Sequence, residues 1–434
     1  MVHGRGAVDH FPTPPSRLIP ASPGSCQGGN RVSSTFRWSL GDPGDPAELV
    51  ADFLSTNGLP VRNLGRTATQ VHPTGDGTLC GAALYVSAAA GSVMAGGAVG
   101  SPTPAPVLPD VYAVVLHHGS SRPQEATHSS FTPASFTPAP GSPVAPGLSP
   151  GPGSPVAPGF SLGPWVDSWT VDDHARAVSL AREAIARGDI YQVNVVGHAS
   201  APYTGDPLDA LSRLAGLSGA RYGGVLAGDG WAIGCASPET LVEVRDGRVI
   251  TRPIKGTRPA TAEGRHELLT SPKERAEHVM IVDLERNDLA RLPGAGPVRV
   301  DKLFAVREWS GLWQAESVVS APLDGDVDLV SLLRAVCPGG SVTGAPKLAA
   351  LDEIARLEPV GRGASMGALG WIGPDHLDLG LTIRTAAADG ERIHLWAGGG
   401  ITWDSDPEAE VAEAAAKAAP LRRTLGNARI GLRT

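Results

Sequence analysis

The chain has 434 residues, a formal net charge of −8 at pH 7, and 55 glycines and 39 prolines. That length can bury a large core and admits one to three domains, while the acidic balance without a basic stripe argues against a nucleic-acid partner. Four scattered cysteines (Cys26, Cys80, Cys235, Cys337) lack metal-ligand spacing, so a zinc site is not expected and reduced thiols in a cytoplasmic protein are.

Residues 1–33 are rich in Gly, Pro and Ser, with too few apolar side chains to offset the entropy of ordering and no apolar run of a secretory signal. They read as a disordered extension. Residues 34–118 read as the N-terminal part of a globular fold, with a short helix over 46–54 and strands over 82–86 and 111–116. The stretch 77–100 has no charged side chain, yet its Gly, Ala and Ser are too weakly hydrophobic for a membrane span, and strands are expected there. Residues 119–164 repeat Ser-Phe-Thr-Pro-Ala and Gly-Ser-Pro-Val-Ala-Pro-Gly and carry no charge from 133 onward, the composition of a flexible insertion.

From 165 to 425 helices and strands follow without long breaks. Helices are predicted over 172–187, 272–289, 329–336, 346–357 and 407–425, with a strand over 190–196. The mixture lacks regular strand–helix alternation, which predicts an α+β fold.

Within this region Ile254, Lys255, Gly256 and Thr257 follow the β-branched Val249 and Ile250. The pattern predicts Lys255 at a strand end, with the following Gly and Pro forming a bend where backbone approaches a ligand. An amine held away from water has a lowered pKa and is partly nucleophilic near neutral pH, whereas on this segment alone an ordinary surface lysine is the favoured reading. Glu239 precedes Lys255 by sixteen residues, as facing strands of a hairpin would place them.

Glu274 and Glu277 share one helical face, as do Glu410 and Glu413, and two such faces brought together make an oxygen-rich site suited to Mg²⁺. Taken singly, either pair reads rather as a solvated acidic face. Lys417 lies one turn beyond Glu413. The run from Gly339 to Lys347 lacks the Gly-Lys-Ser/Thr ending of a phosphate loop, so ATP binding is set aside.

The ordered set of these segments, from Gly188–Asn194 through Ser237–Thr240, Thr251–Pro259, Glu274–Asp288, Pro338–Lys347 and Ile383–Thr385 to Ala397–Glu413, resembles the chorismate-utilising enzymes. That family includes anthranilate synthase component I, aminodeoxychorismate synthase component I, and isochorismate and salicylate synthases. The resemblance covers about residues 165–425 and implies two packed β-sheets with flanking helices. It implies Lys255 and Glu239 as catalytic groups, the latter as the acid that protonates a departing hydroxyl. Gln192, Gly340, Ser341, Arg384, Gly398, Gly399 and Lys417 are implied to bind substrate, and Glu277 and Glu413, with Glu274 and Glu410 closing the site, to bind Mg²⁺. Gln192 stands where the water-activating branches place a lysine, and Lys255 where anthranilate synthases place an alanine, which implies amination of chorismate at C4. A separate glutamine amidotransferase subunit is implied as the ammonia source. Gln314, where the family commonly has histidine, and Ser365, where an aromatic residue is expected, depart from the pattern.

Overall fold

The computed structural model describes residues 30–64, 77–118, 159–309, 311–324 and 326–426. Among these, two antiparallel sheets carry the architecture. The larger runs in the order Asn30–Trp38, Val111–His118, Leu79–Val86, Ala368–Ile372, Leu377–Leu381, Thr240–Arg245, Arg248–Arg252, Leu312–Pro322 and Ile254–Pro259, with Arg299–Trp309 also paired to Leu312–Pro322. The smaller runs Gly344–Ala345, Gln192–Thr204, Arg392–Ile401, Thr385–Ala388, Trp231–Ser237 and Tyr222–Gly228. Its longest ladder joins Ile401 to Val193 and continues to Arg392 opposite Pro202.

The sheets meet face to face. Val242 and Leu379 of the first share one apolar cluster with Ile233, Ala387 and Trp396 of the second. Removing such side chains from water is the main favourable term in folding, about 1.5–3 kcal/mol for each large aliphatic. The N-terminal strands belong to this construction, since Leu79–Val86 pairs with Ala368–Ile372 in register from Val86 opposite Ala368 to Ala82 opposite Ile372.

Helices cover the outer faces. Val171–Arg187 and Lys347–Leu357 bury Ala177, Val178, Ala181, Ala350 and Ile354 against Val193 and Val195. Pro272–Ala290 starts where Ser271 accepts the Glu274 amide and proline occupies the first turn. Among the described residues no helix is long and apolar enough to cross a membrane.

Several expectations need correction. Asn30–Trp38 is a strand, so order begins inside the stretch read as a disordered extension; pairing of Val32–Trp38 with Leu116–Val111 and packing of Val32 and Phe36 on the core explain it. Residues 1–29 lie outside the described residues, as do 119–158 of the expected insertion. The end of that insertion is structured, because Ser161–Leu162 pairs with Thr204 and Tyr203 while Phe160 and Leu162 pack on a core cluster. In the stretch read as strands, Ala88–Ala95 is a helix, with Ser87 accepting the Ala90 amide and Gly96 closing the other end at φ +72°. Cys80 is disulfide-bonded, unlike the reduced thiols expected, whereas Cys235 and Cys337 are free and buried.

Candidate active site

One pocket opens between the two sheets, beneath the helices Pro272–Ala290 and Pro407–Gly426. Its walls include Glu239, Lys255, Ser341, Arg384 and Lys417, together with Glu274, Glu277, Glu410 and Glu413. Six segments far apart in sequence thus converge.

Lys255 begins the strand Ile254–Pro259 rather than ending one, because Pro253 interrupts the preceding strand Arg248–Arg252. The register against Leu312–Pro322 shifts between Lys255 and Thr257, and Gly256 at the shift has φ +74°. A Cβ at Gly256 would stand 2.5 Å from Leu268 Cδ1 and 2.8 Å from Glu274 Oε2. Glycine is therefore required by conformation and by space. The expected bend is a bulge inside a strand, and it aims Lys255 at the pocket.

Glu239 does not face Lys255 across a hairpin. It sits immediately before the strand Thr240–Arg245, whose hairpin partner is Arg248–Arg252, and Lys255 follows on the next strand. Ser341 joins the two groups: its Oγ donates to Glu239 Oε1 at 2.6 Å, and its carbonyl accepts from Lys255 Nζ at 3.3 Å. Burial raises the Glu239 pKa to about 7, against the opposing pull of the Ser341 hydroxyl and Lys255. Burial also lowers the Lys255 pKa, opposed by Glu277 and Glu239. A carboxyl that keeps its proton near neutrality and an amine that more readily gives its proton up therefore share one wall.

Arg384 is buried, with its guanidinium 4.8 Å from the centre of the Trp309 ring and Nη1 donating to the Lys417 carbonyl at 3.2 Å. Its backbone has φ +53°, and the neighbouring wall residue Met366 has φ +62°. Non-glycine residues in this left-handed region cost roughly 1–3 kcal/mol each and persist only where surroundings over-determine them. Burial lowers the Arg384 pKa to about 10, which leaves it charged at neutral pH. Lys417 donates to the Gly398 carbonyl at 2.9 Å and pairs with Glu413 at 2.8 Å, holding the Glu413 carboxyl below its usual range.

Four carboxylates from two helices face this pocket. Glu274 is held by Arg258 at 2.9 Å, and Glu410 accepts from Ser405 at 2.7 Å. Lys273 stands between the helices, 3.6 Å from Glu277 and 3.4 Å from Glu410. Burial raises the Glu277 pKa, with Lys255 and Lys273 opposing. The donor set is all oxygen and anionic, which fits a hard divalent cation, although among the described residues no three His, Cys, Asp or Glu side chains are gathered into a finished cage.

Three expected residues sit behind the pocket wall. Gln192 is buried at the start of Gln192–Thr204. A Cβ at Gly400 would lie 2.5 Å from its Nε2 and 2.9 Å from Lys255 Nζ, so both side chains crowd the Gly400 backbone. Gly399 backs onto Glu410, whose Oε2 would be 3.0 Å from an added Cβ, and Gly340 lies against Leu284 and Glu285 in the short 3₁₀ turn Gly340–Val342. Gln314 lines the pocket, while Ser365 is buried and donates to the Thr382 carbonyl at 3.1 Å.

Lys273, Arg258 and Asn194 were not anticipated as part of the site. Lys273 carried a signal, its four-residue spacing to Glu277. Asn194 carried none, since its place in the wall depends on strand pairing with Gly400.

A family model for chorismate binding enzymes matches residues 65–423. Aminodeoxychorismate synthase component 1 of Bacillus subtilis (strain 168) is 37% identical over 264 residues, 59% of this chain and 56% of that protein. Anthranilate synthase component 1 of Streptomyces coelicolor is 39% identical over 257 residues, 57% of this chain and 50% of that protein. The chain thus spans about half the length of the curated relatives it matches. Among solved structures, anthranilate synthase component I from Streptococcus pneumoniae TIGR4 superposes with a TM-score of 0.65 at 24% identity, over 91% of each chain. That likeness identifies the fold.

Proposed function

This chain belongs to the chorismate binding enzyme family, and we propose that it aminates chorismate at C4 to give 4-amino-4-deoxychorismate. The observation that carries this reading is a buried amine of lowered pKa, Lys255, linked through Ser341 to a buried carboxyl, Glu239, whose pKa is raised to about 7.

The chemistry is a double displacement. Lys255 Nζ forms a bond to C2 as the ring double bond shifts and the C4–O bond breaks, and Glu239 gives its proton to the departing hydroxyl, which leaves as water. The alkylated amine then loses a proton. Ammonia forms a bond to C4, the double bond shifts back, and the C2–N bond breaks as the leaving nitrogen takes up a proton, balanced by the one that the new C4 ammonium gives up, which restores Lys255 as the neutral amine. Pyruvate is not lost.

Arg384 and Lys417 supply cations for a substrate carboxylate, Arg384 with the planar fork such a group matches. Gln192 positions the amine through the Gly400 backbone they both crowd. Glu277 and Glu413, closed by Glu274 and Glu410, would hold a Mg²⁺ that neutralises the substrate's negative charge when bound. We assign the source of ammonia to a separate glutamine amidotransferase subunit, in keeping with the "component 1" in the names of several relatives.

Anthranilate synthases at comparable identity favour a second reading, amination at C2 with loss of pyruvate. Purified protein given chorismate, Mg²⁺ and concentrated ammonium separates them by product mass. Aminodeoxychorismate is expected; anthranilate with pyruvate supports the second reading, and isochorismate or salicylate refutes both.

A further inference from the structure

The helix Pro407–Gly426 has two working faces. Glu410, Glu413, Lys417 and Leu421 face the pocket described above. Ala414, Ala415 and Ala418 face a separate, solvent-open cavity of about 360 Å³, bordered by the helix Val171–Arg187 and by Gly197 and Leu395 of the smaller sheet. Ring-sized ligands occupy cavities from about 300 Å³ upward, so the space admits one.

Most of this lining is small and apolar. Asp167, Trp169, Thr170, His174, His198 and Arg422 are not. His174 is only 7% exposed and lines the cavity; its ring stacks on Trp169 at 4.5 Å, and among the described residues nothing hydrogen-bonds its ring nitrogens. Its two ring nitrogens are therefore available to a ligand in the cavity. Arg422 lines the same cavity, its guanidinium 5.3 Å from the centre of the Trp165 ring; one nitrogen is on Asp167, itself part of the lining, at 2.7 Å, while Nε is buried without a partner among the described residues.

We propose that this cavity is a second small-molecule site, and that it takes a planar ring bearing one carboxylate. The Trp169–His174 stack provides a flat wall for the ring, and the alanines leave its thickness free. Arg422 attracts the carboxylate. His174, kept neutral by burial that lowers its pKa to about 4, offers one donor and one acceptor to a polar ring substituent or to the carboxylate itself. Because the wall opposite is the helix that carries Glu410, Glu413 and Lys417, an occupant there presses on the same element that shapes the other pocket.

Benzoate is the probe. Its binding to the full chain is followed by saturation-transfer NMR, in the parent protein and in Ala415→Leu, His174→Ala and Ala416→Leu. Ala415 is exposed at the cavity rim and its leucine fills the space, whereas Ala416 lines neither pocket and controls for a bulky residue on this helix. The expected result is saturable binding that is lost in Ala415→Leu, weakened at least fivefold in His174→Ala and unchanged in Ala416→Leu, with melting temperatures of the leucine variants matched to the parent. Absence of binding at 10-fold excess over protein in the millimolar range overturns the proposal. So does binding that survives Ala415→Leu, which places benzoate elsewhere, or equal loss in both leucine variants, which reports a disturbed helix.

Discussion

Lys255 was legible through the ordered set of motifs around it, since its own segment alone reads as an ordinary surface lysine. Its tie to Glu239 was not, because Ser341 lies 86 residues from Lys255 and 102 from Glu239 and no local spacing encodes that bridge. The pair sets a pH dependence with a definite sign. Glu239 acts as an acid only while protonated, so turnover should decline as pH rises through about 7, the pKa that burial gives it. Glu239→Gln should lower kcat by about 10²–10⁴, the usual contribution of a positioned acid, and should abolish that alkaline decline. A pH–rate series on both proteins checks this; an unchanged alkaline limb in the glutamine variant would assign it to another group. The Gln314 and Ser365 departures have separate outcomes: Gln314 still lines the pocket, whereas Ser365 serves the backbone of Thr382.

At the scale of elements, the helices that were read have ends within two residues, since 3.6-residue periodicity and caps are local signals, whereas Ala88–Ala95 was read as strand and Leu208–Ala215 and Ala262–Thr270 were not read. Leu329–Val336 matches its expected range, and Pro272–Ala290 and Pro407–Gly426 each extend one residue beyond theirs. Strand pairing was not readable: nothing near Ile254 announces that its strand pairs with Leu312–Pro322, nor that Gly256 forms a bulge. The bulge makes a testable demand. Gly256→Ala should destabilise the protein by roughly 1–3 kcal/mol through its positive φ, and its Cβ should displace Glu274 and weaken Mg²⁺ binding. Urea unfolding and calorimetric titration of Mg²⁺ measure the two effects separately. Glu277→Ala should weaken Mg²⁺ binding while leaving the helix intact, because alanine is the best helix former; equal activity of the parent with EDTA and with Mg²⁺ would refute the metal assignment. A buried ion pair also ties Pro272–Ala290 to Lys347–Leu357: Lys347 lies 2.8 Å from Asp288 and donates to the Ala335 carbonyl at 3.1 Å. Removing one partner strands a buried charge, so Lys347→Met should cost about 3–5 kcal/mol in urea unfolding.

Across the whole molecule the α+β class was readable from composition and periodicity, while the face-to-face arrangement came only through the resemblance, because pairings such as Val86 with Ala368 span most of the chain. The folded state stores two deeply buried carboxyls largely in their neutral form. Burial raises Glu239 to about 7 and Glu285 to about 8, the latter helped by Asp288. Groups with raised folded pKa values contribute stability that is complete below their unfolded pKa and lost as pH rises through the folded value. Buried histidines act oppositely: burial lowers His174 to about 4 and His198 to about 3, so their neutral forms favour folding above the unfolded value near 6.5 and cost stability below it. Above that value only the carboxyls of these two sets titrate, and the melting temperature should fall between about pH 6.5 and pH 8. A flat or rising profile in that window would show that Glu239 and Glu285 ionise freely in the folded protein.

The covalent role of Lys255 is the claim on which the C4 chemistry turns, and intact-protein mass spectrometry of a quenched reaction with chorismate and Mg²⁺, before ammonium is added, tests it most directly. The parent protein should gain the mass of chorismate less one water, the added mass should map to Lys255, and ammonium should discharge it as aminodeoxychorismate. Lys255→Ala should show neither the adduct nor C4 amination. Undiminished C4 amination by Lys255→Ala would contradict the nucleophilic role outright.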